Sequence, residues 1–195
     1  MSKIVQGLLL AGLFTALCSA SSTAAAQQKS PKLESPDSRA ENRMRALERE
    51  VRHELVTLPY YGVFDWLEGS VQANGTVTLR GEVVRPSTKS DAERRVRNIE
   101  SVTKVVNRIK VLPLSPSDDR LRLELYRALF NWNSPLMRYA VPANPSIHII
   151  VDNGRATLKG VVASKMDKQL AYTAARGVPG LFDVRNELQV EVSGD

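Results

Sequence analysis

Few side chains in this chain of 195 residues are of the types that carry reaction chemistry. There are two histidines, His53 in a charged helical stretch and His148 in the alternating run Ile147-His148-Ile149-Ile150-Val151. Neither has an evident acid, base or nucleophile to work with. The single cysteine, Cys18, lies near the N-terminus. No metal-ligand spacing, glycine-rich phosphate loop or nucleophile elbow occurs. Asp65 and Asp152 border strand or turn positions, where a carboxylate ordinarily caps backbone N–H groups. The expectation is a protein that is not an enzyme, with no catalytic residue, no metal and no cofactor.

Binding chemistry has more material. Arg43, Arg45, Arg49, Arg52, Arg94, Arg95 and Arg97 have the charge to meet phosphates, but Glu48, Glu50, Glu54 and Glu93 interleave with them. That mixture reads as a solvated, salt-bridged helical surface. No nucleic-acid-binding motif appears, so nucleic acid is not an expected partner, nor is a small-molecule substrate. Tyr60, Tyr61, Phe64 and Trp66 form an aromatic cluster that serves either packing of a small domain or a partner-binding patch.

The elements that position these residues occur twice. Asn74-Gly75-Thr76-Val77-Thr78-Leu79-Arg80-Gly81 returns as Asn153-Gly154-Arg155-Ala156-Thr157-Leu158-Lys159-Gly160, an offset of 153 − 74 = 79 that holds without a gap to Val111 and Val190. Asn107 and Asn186 match at this offset and read as a polar requirement of the fold. Each copy has the pattern helix, strand, strand, helix, strand.

In the first copy Ala40, Met44, Leu47, Val51, Leu55 and Leu58 stripe a helix that Pro59 stops. A strand over about 63–73 follows, and Asn74-Gly75 has the composition of a tight hairpin with positive φ angles. Ala92, Val96 and Ile99 stripe the second helix, for which Ser87 to Ser90 offer N-caps, and the last strand covers 105–111.

The second copy begins at Ser117-Asp118-Asp119, has Ser164 as a helix N-cap, and ends in a strand over 184–190. Its first helix carries two apolar stripes, Leu121, Leu125, Ala128, Leu129 and Trp132 on one side and Leu123, Tyr126 and Phe130 on another. A small module has one core to face, so the second stripe either meets the other module or faces outward. Ser134 to Pro145 is an insertion relative to the first copy. Tyr60, Tyr61, Leu136, Met137 and Tyr139 are the candidate contacts for a protein partner.

The N-terminus has the order of a secretory signal: Lys3, an uncharged apolar run from Ile4 to Leu17, then Ala24-Ala25-Ala26. Cleavage near Ala26 would remove Cys18 and leave a charge of 26 − 21 = +5. The product would be periplasmic or secreted, with a fold held by packing and not by disulfides. Residues 38–112 carry 14 basic and 10 acidic side chains and residues 118–195 carry 10 and 9, so the positive field belongs mainly to the first copy. The expected organisation is signal 1–26, flexible leader 27–37, module 38–112, linker 113–117 and module 118–195.

The two copies resemble the BON domain, a family named for an osmotically induced bacterial envelope protein and nodulation proteins. The resemblance rests on Gly75-Thr76-Val77-Thr78-Leu79-Arg80-Gly81 with the stretch Ile99 to Val111, and on Gly154-Arg155-Ala156-Thr157-Leu158-Lys159-Gly160 with Val178 to Val190. Ser101 stands where the family pattern has Gly, and Ala156 where it has Val. The resemblance implies an α+β chain of two tandem αββαβ modules. It also implies a role without catalysis in envelope integrity or stress tolerance, including osmotic stress. In some tandem members it implies contact between the second module's first helix and anionic phospholipid. Here that helix offers Arg122, Leu123, Tyr126, Arg127 and Phe130. The partner is then an anionic phospholipid membrane surface or, in the rival reading, an envelope protein held by an adaptor that touches no lipid.

Overall fold

A computed structural model describes residues 36–142 and 144–191. The signal and nearly all of the leader expected from the sequence lie outside the described residues. In the first module α1 (Pro36–Val56) precedes the hairpin β1 (Trp66–Val71) and β2 (Thr76–Val83), then α2 (Pro86–Arg97), β3 (Lys104–Asn107) and β4 (Lys110–Val111). In the second, α3 (Pro116–Leu129) and a 3-10 turn (Pro135–Tyr139) precede β5 (Ile147–Asp152), β6 (Arg155–Val162), α4 (Lys165–Arg176), β7 (Asp183–Asn186) and β8 (Gln189–Val190). The architecture is α+β, with one small mixed sheet in each module.

In each sheet the middle strand pairs antiparallel with the strand before it and parallel with the strand that follows the crossover helix. Both helices of a module cover one sheet face, so alternate residues of the middle strand point into the core. Val77, Leu79 and Val83 do this in β2, and Ala156, Leu158 and Val162 in β6. The helix stripes supply the other half of each core, Leu47, Val51 and Leu55 from α1 and Leu121, Leu125 and Leu129 from α3. Ala40, at the start of the expected α1 stripe, is exposed, and α1 enters the buried core only from Leu47 onward.

The repeated asparagines lie where the last strand breaks. Asn107 Nδ2 donates to Lys89 O at 3.1 Å and its Oδ1 accepts from Ile109 N at 3.1 Å. Asn186 does the same with Lys168 O at 2.8 Å and Leu188 N at 3.2 Å. Each ties the break to its crossover helix and satisfies backbone groups that the ladder leaves unpaired.

The hairpins differ although both read Asn-Gly. Asn153 and Gly154 have φ of 51° and 74°, the two left-handed residues of a tight turn. In the hairpin of the first module Gly75 is left-handed, at 77°, and Asn74 is not. That turn has two more residues between its strands, with Gln72 N bonding Thr76 O at 2.9 Å, so Asn74 instead uses its Oδ1 to accept from Thr76 N at 3.0 Å. Pro86 opens α2 with no side-chain cap, whereas Ser164 Oγ caps α4 by accepting from Asp167 N at 3.1 Å. The first strand also starts later than the pattern suggests, at Trp66, because Val63 and Phe64 serve the other module.

Candidate functional site

The segment between α1 and β1 joins the two modules. After Pro59 the chain turns at Tyr60, whose φ of 67° is unusual for a bulky residue. The Asp65 carboxylate then accepts from Val84 N at 2.8 Å and Gly62 N at 3.3 Å, closing residues 62–65 into a loop. The loop presents Val63 and Phe64 to the second module, where both pack against its core. Val63 O accepts from Ile149 N at 2.7 Å, so the loop pairs with the outer edge of β5. Phe64 meets Tyr126 edge-on at 6.3 Å between centroids, and Tyr126 meets Phe130 at 5.1 Å.

His148 is buried in the same seam, 5.4 Å from Tyr61 and 5.1 Å from Trp66 between ring centroids. Its Nδ1 lies 3.2 Å from Gly62 O, a carbonyl that can only accept, so this nitrogen carries the proton. Burial pushes the imidazole pKa below its ordinary value against the pull of nearby carbonyls. Burial also raises Asp65, although the N–H groups of Val84 and Gly62 favour its charged form. The Tyr61 hydroxyl is pushed up to about 12, chiefly by burial. At the rim Lys159 pairs with Glu82 at 3.2 Å and Lys110 with Asp152.

The five side chains considered for lipid contact do not share one surface. Phe130 is 5 % exposed and Tyr126 is half-buried against Phe64, while Leu123 is 50 % exposed and Arg127 is exposed. Arg122 is buried, donating to Val151 O at 2.7 Å and pairing with Asp119. The second apolar stripe of α3 thus divides between seam and solvent.

The five considered for a protein partner divide as well. Leu136 and Tyr139 are buried in the second core and Met137 packs against it. Tyr60 is exposed beneath the Arg85 guanidinium, and Tyr61 is half-buried in the seam. Tyr139 works within the fold, where its Oη accepts from Ala163 N at 2.9 Å and donates to Asp167 at 3.0 Å. The bond from Ser164, with those from Tyr139 and Arg138, holds the Asp167 carboxyl below the usual range.

Three side chains stand out that the sequence patterns had not marked as a site. Trp132, Val141 and Met166 are 90, 72 and 76 % exposed. They belong to one pole of the second module, made by the turn after α3, the inserted segment and the start of α4. Arg138 and Tyr139 bond Asp167 there, which fixes the insertion to α4. Arg127 and Lys165 add positive charge to that pole, where Arg138 is paired with Asp167. Trp132, which the sequence pattern places in an apolar stripe of α3, falls past the end of that helix and is exposed, and Val141 lies beside Pro142 in the inserted segment.

Among the described residues no three His, Cys, Asp or Glu side chains gather as a metal site would require. Nor is any helix among them long and apolar enough to cross a membrane. Fold and seam together define a tandem α+β protein of two packed modules. Residues 46–113 and 133–192 match the BON domain family, and because this is more than half of the chain, the chain belongs to that family of envelope-associated, non-catalytic binding domains. No curated protein matches the sequence. Among solved structures it is similar at 13 % identity to CdsD, a structural protein of the type III secretion system of Chlamydia trachomatis, over 75 % of this chain and 92 % of that one, with a TM-score of 0.29. The C-terminal domain of the same protein matches at 13 % identity over 74 % of this chain and 96 % of that one, with a TM-score of 0.27.

Proposed function

We propose that the protein is exported, is cleaved near Ala26, and acts without catalysis in the periplasm or outside the cell, contacting anionic phospholipid through the pole of its second module. Its modules would be residues 38–112 and 118–195, joined by 113–117, and its role would be in envelope integrity or stress tolerance. The observation that supports the lipid reading is the exposure of Trp132, Val141 and Met166 on segments that also carry the exposed Arg127 and Lys165. Large apolar bodies next to guanidinium and ammonium groups suit the acyl boundary and its phosphates. The solvent-facing part of α3, with Leu123 and Arg127, ends at this pole and would extend the contact.

Liposome flotation tests this reading. Vesicles containing phosphatidylglycerol should carry the protein, less so as salt rises, since each basic side chain near the surface is worth about 1 kcal/mol and is screened. Trp132→Asp/Met166→Asp should abolish flotation in a protein that circular dichroism shows folded. Flotation unchanged by both salt and this variant would sink the lipid reading. The second reading, an adaptor for an envelope protein, is favoured by the exposure of Glu68, Gly69 and Ser70 on β1.

A further inference from the structure

The core positions of the two leading helices superpose by sequence. Leu47, Val51 and Leu55 of α1 correspond to Leu121, Leu125 and Leu129 of α3, with 121 − 47 = 125 − 51 = 129 − 55 = 74. Glu48, Arg52 and Val56 therefore occupy the places of Arg122, Tyr126 and Phe130. The strands correspond as well: Leu67 pairs with Gly81 as Ile147 pairs with Gly160, and Gly69 pairs with Leu79 as Ile149 pairs with Leu158.

In the second module the groove between helix and strand edge is filled. Val63 and Phe64 lie in it, with Ile149 N donating to Val63 O and Phe64 against Tyr126. In the first module the corresponding place is an open groove of about 460 Å³, walled by Glu48, Arg52 and Val56 on one side and Leu67, Glu68 and Gly69 on the other. Because the register is the same, the Gly69 N–H points out of the sheet edge as that of Ile149 does. Tyr61, Trp66 and His148 form the end of the groove nearest the seam, so it continues an interface already built.

We infer that this groove binds a peptide turn of a protein partner, hydrogen-bonded to the edge of β1 at Gly69, with an aliphatic-aromatic pair placed as Val63 and Phe64 are in the second module. Main-chain bonds to Gly69 give the pairing, and the side-chain pair entering the groove gives selectivity. This does not depend on the lipid contact. It rests on the adaptor reading, to which it gives a site and a partner chemistry.

The test uses the whole protein and a blocked synthetic peptide with the sequence of Tyr61 to Trp66, the segment that fills the second groove. Fluorescence anisotropy should show saturable binding, and amide NMR shifts should centre on Val56, Glu68 and Gly69. Arg52→Tyr/Val56→Phe, which gives the first groove the second groove's side chains, should tighten binding roughly tenfold, and Val56→Asp should weaken it at least as much. The gain-of-affinity variant keeps the test decisive if Val56→Asp fails to fold. Absence of saturable binding by both the wild type and Arg52→Tyr/Val56→Phe overturns the inference. So do shifts centred on Ile149 and Tyr126, which would mean that the peptide displaces the chain's own loop. An adaptor whose partner binds elsewhere would fail this test and still capture that partner, so the two failures are distinguishable.

Discussion

Strands β1 and β5 hold the same place in sheets of the same topology, yet one is half open and the other is sealed. Ile147, His148, Ile149, Ile150 and Val151 are all buried, because helices lie on one face of β5 while the first module approaches its other face and its edge. Glu68, Gly69 and Ser70 at the centre of β1 are exposed. The sequences follow this difference: a continuous apolar run where both faces are covered, a charge and a glycine where the edge meets water. Duplication supplied two equivalent grooves, and the chain fills only one of them from within. The comparison also shows what the seam contributes, since the second core is completed by two side chains of the first module.

The largest effect should come from emptying the filled groove. Phe64→Ala removes the ring that packs on Tyr126, and loss of a substantially covered aromatic should cost about 3 kcal/mol. In native-state hydrogen exchange the Ile149 amide, whose partner is Val63 O, should lose protection while core amides of β2 keep theirs. Equal loss in both modules would mean that they unfold as one unit, and would remove the distinction between a clasped and a clasping module.

A second contrast lies at the ends of the middle strands. Val84 N and Ala163 N are equivalent at the 79-residue offset, but one bonds the Asp65 carboxylate and the other the Tyr139 hydroxyl. Asp65→Ala and Tyr139→Phe should each destabilise by about 1 kcal/mol, the net value of a hydrogen bond whose donor is only partly covered. Asp65→Asn, which keeps an oxygen for Val84, should recover most of the loss in urea titrations. Failure of that rescue would assign the effect to the charge and not to the hydrogen bond.

The dependence on pH follows from His148, a buried seam residue whose counterpart in β1 is the exposed Glu68. Its folded pKa lies below the ordinary 6.5, so its contribution to stability is present above that value and is lost as pH falls through the folded pKa. Asp65 works in the opposite sense. Its raised pKa favours the folded state below 3.8, a contribution lost as pH rises through the folded value. Stability measured from pH 8 downward should therefore fall on acidification below 6.5, and His148→Gln should flatten that fall. A slope unchanged in the variant would place its origin at another group.

Much of this was readable from the residues. The 79-residue repeat, the alternation of Val77 and Leu79, and the spacing of Leu121, Leu125 and Leu129 each report a core face directly. The destination of Val63 and Phe64 was not readable, because alternation marks a strand without saying whose sheet it joins. The two apolar stripes of α3 posed the right question, but its answer depended on a neighbour 62 residues away in the pair Phe64 and Tyr126 (126 − 64 = 62). Likewise Asn74-Gly75 matched Asn153-Gly154 in letters, and only the length of the intervening loop decided which conformation each adopted.

The smallest effect, and the sharpest check on the comparison, is at Thr88. It stands 167 − 88 = 79 residues before Asp167, and both are buried in the first turns of their crossover helices. Asp167 collects bonds from Ser164, Arg138 and Tyr139, the last two supplied by the insertion that the first module lacks. Without that segment the first module has a threonine, whose Oγ1 has no hydrogen-bond partner among the described residues. Replacing a buried hydroxyl that makes no bond with a methyl removes a desolvation cost and keeps the shape. Thr88→Val should therefore leave stability unchanged or raise it by up to about 1 kcal/mol in urea titration. Destabilisation beyond about 1 kcal/mol would show that the hydroxyl is bonded in solution, and that the first module satisfies this position by a route of its own.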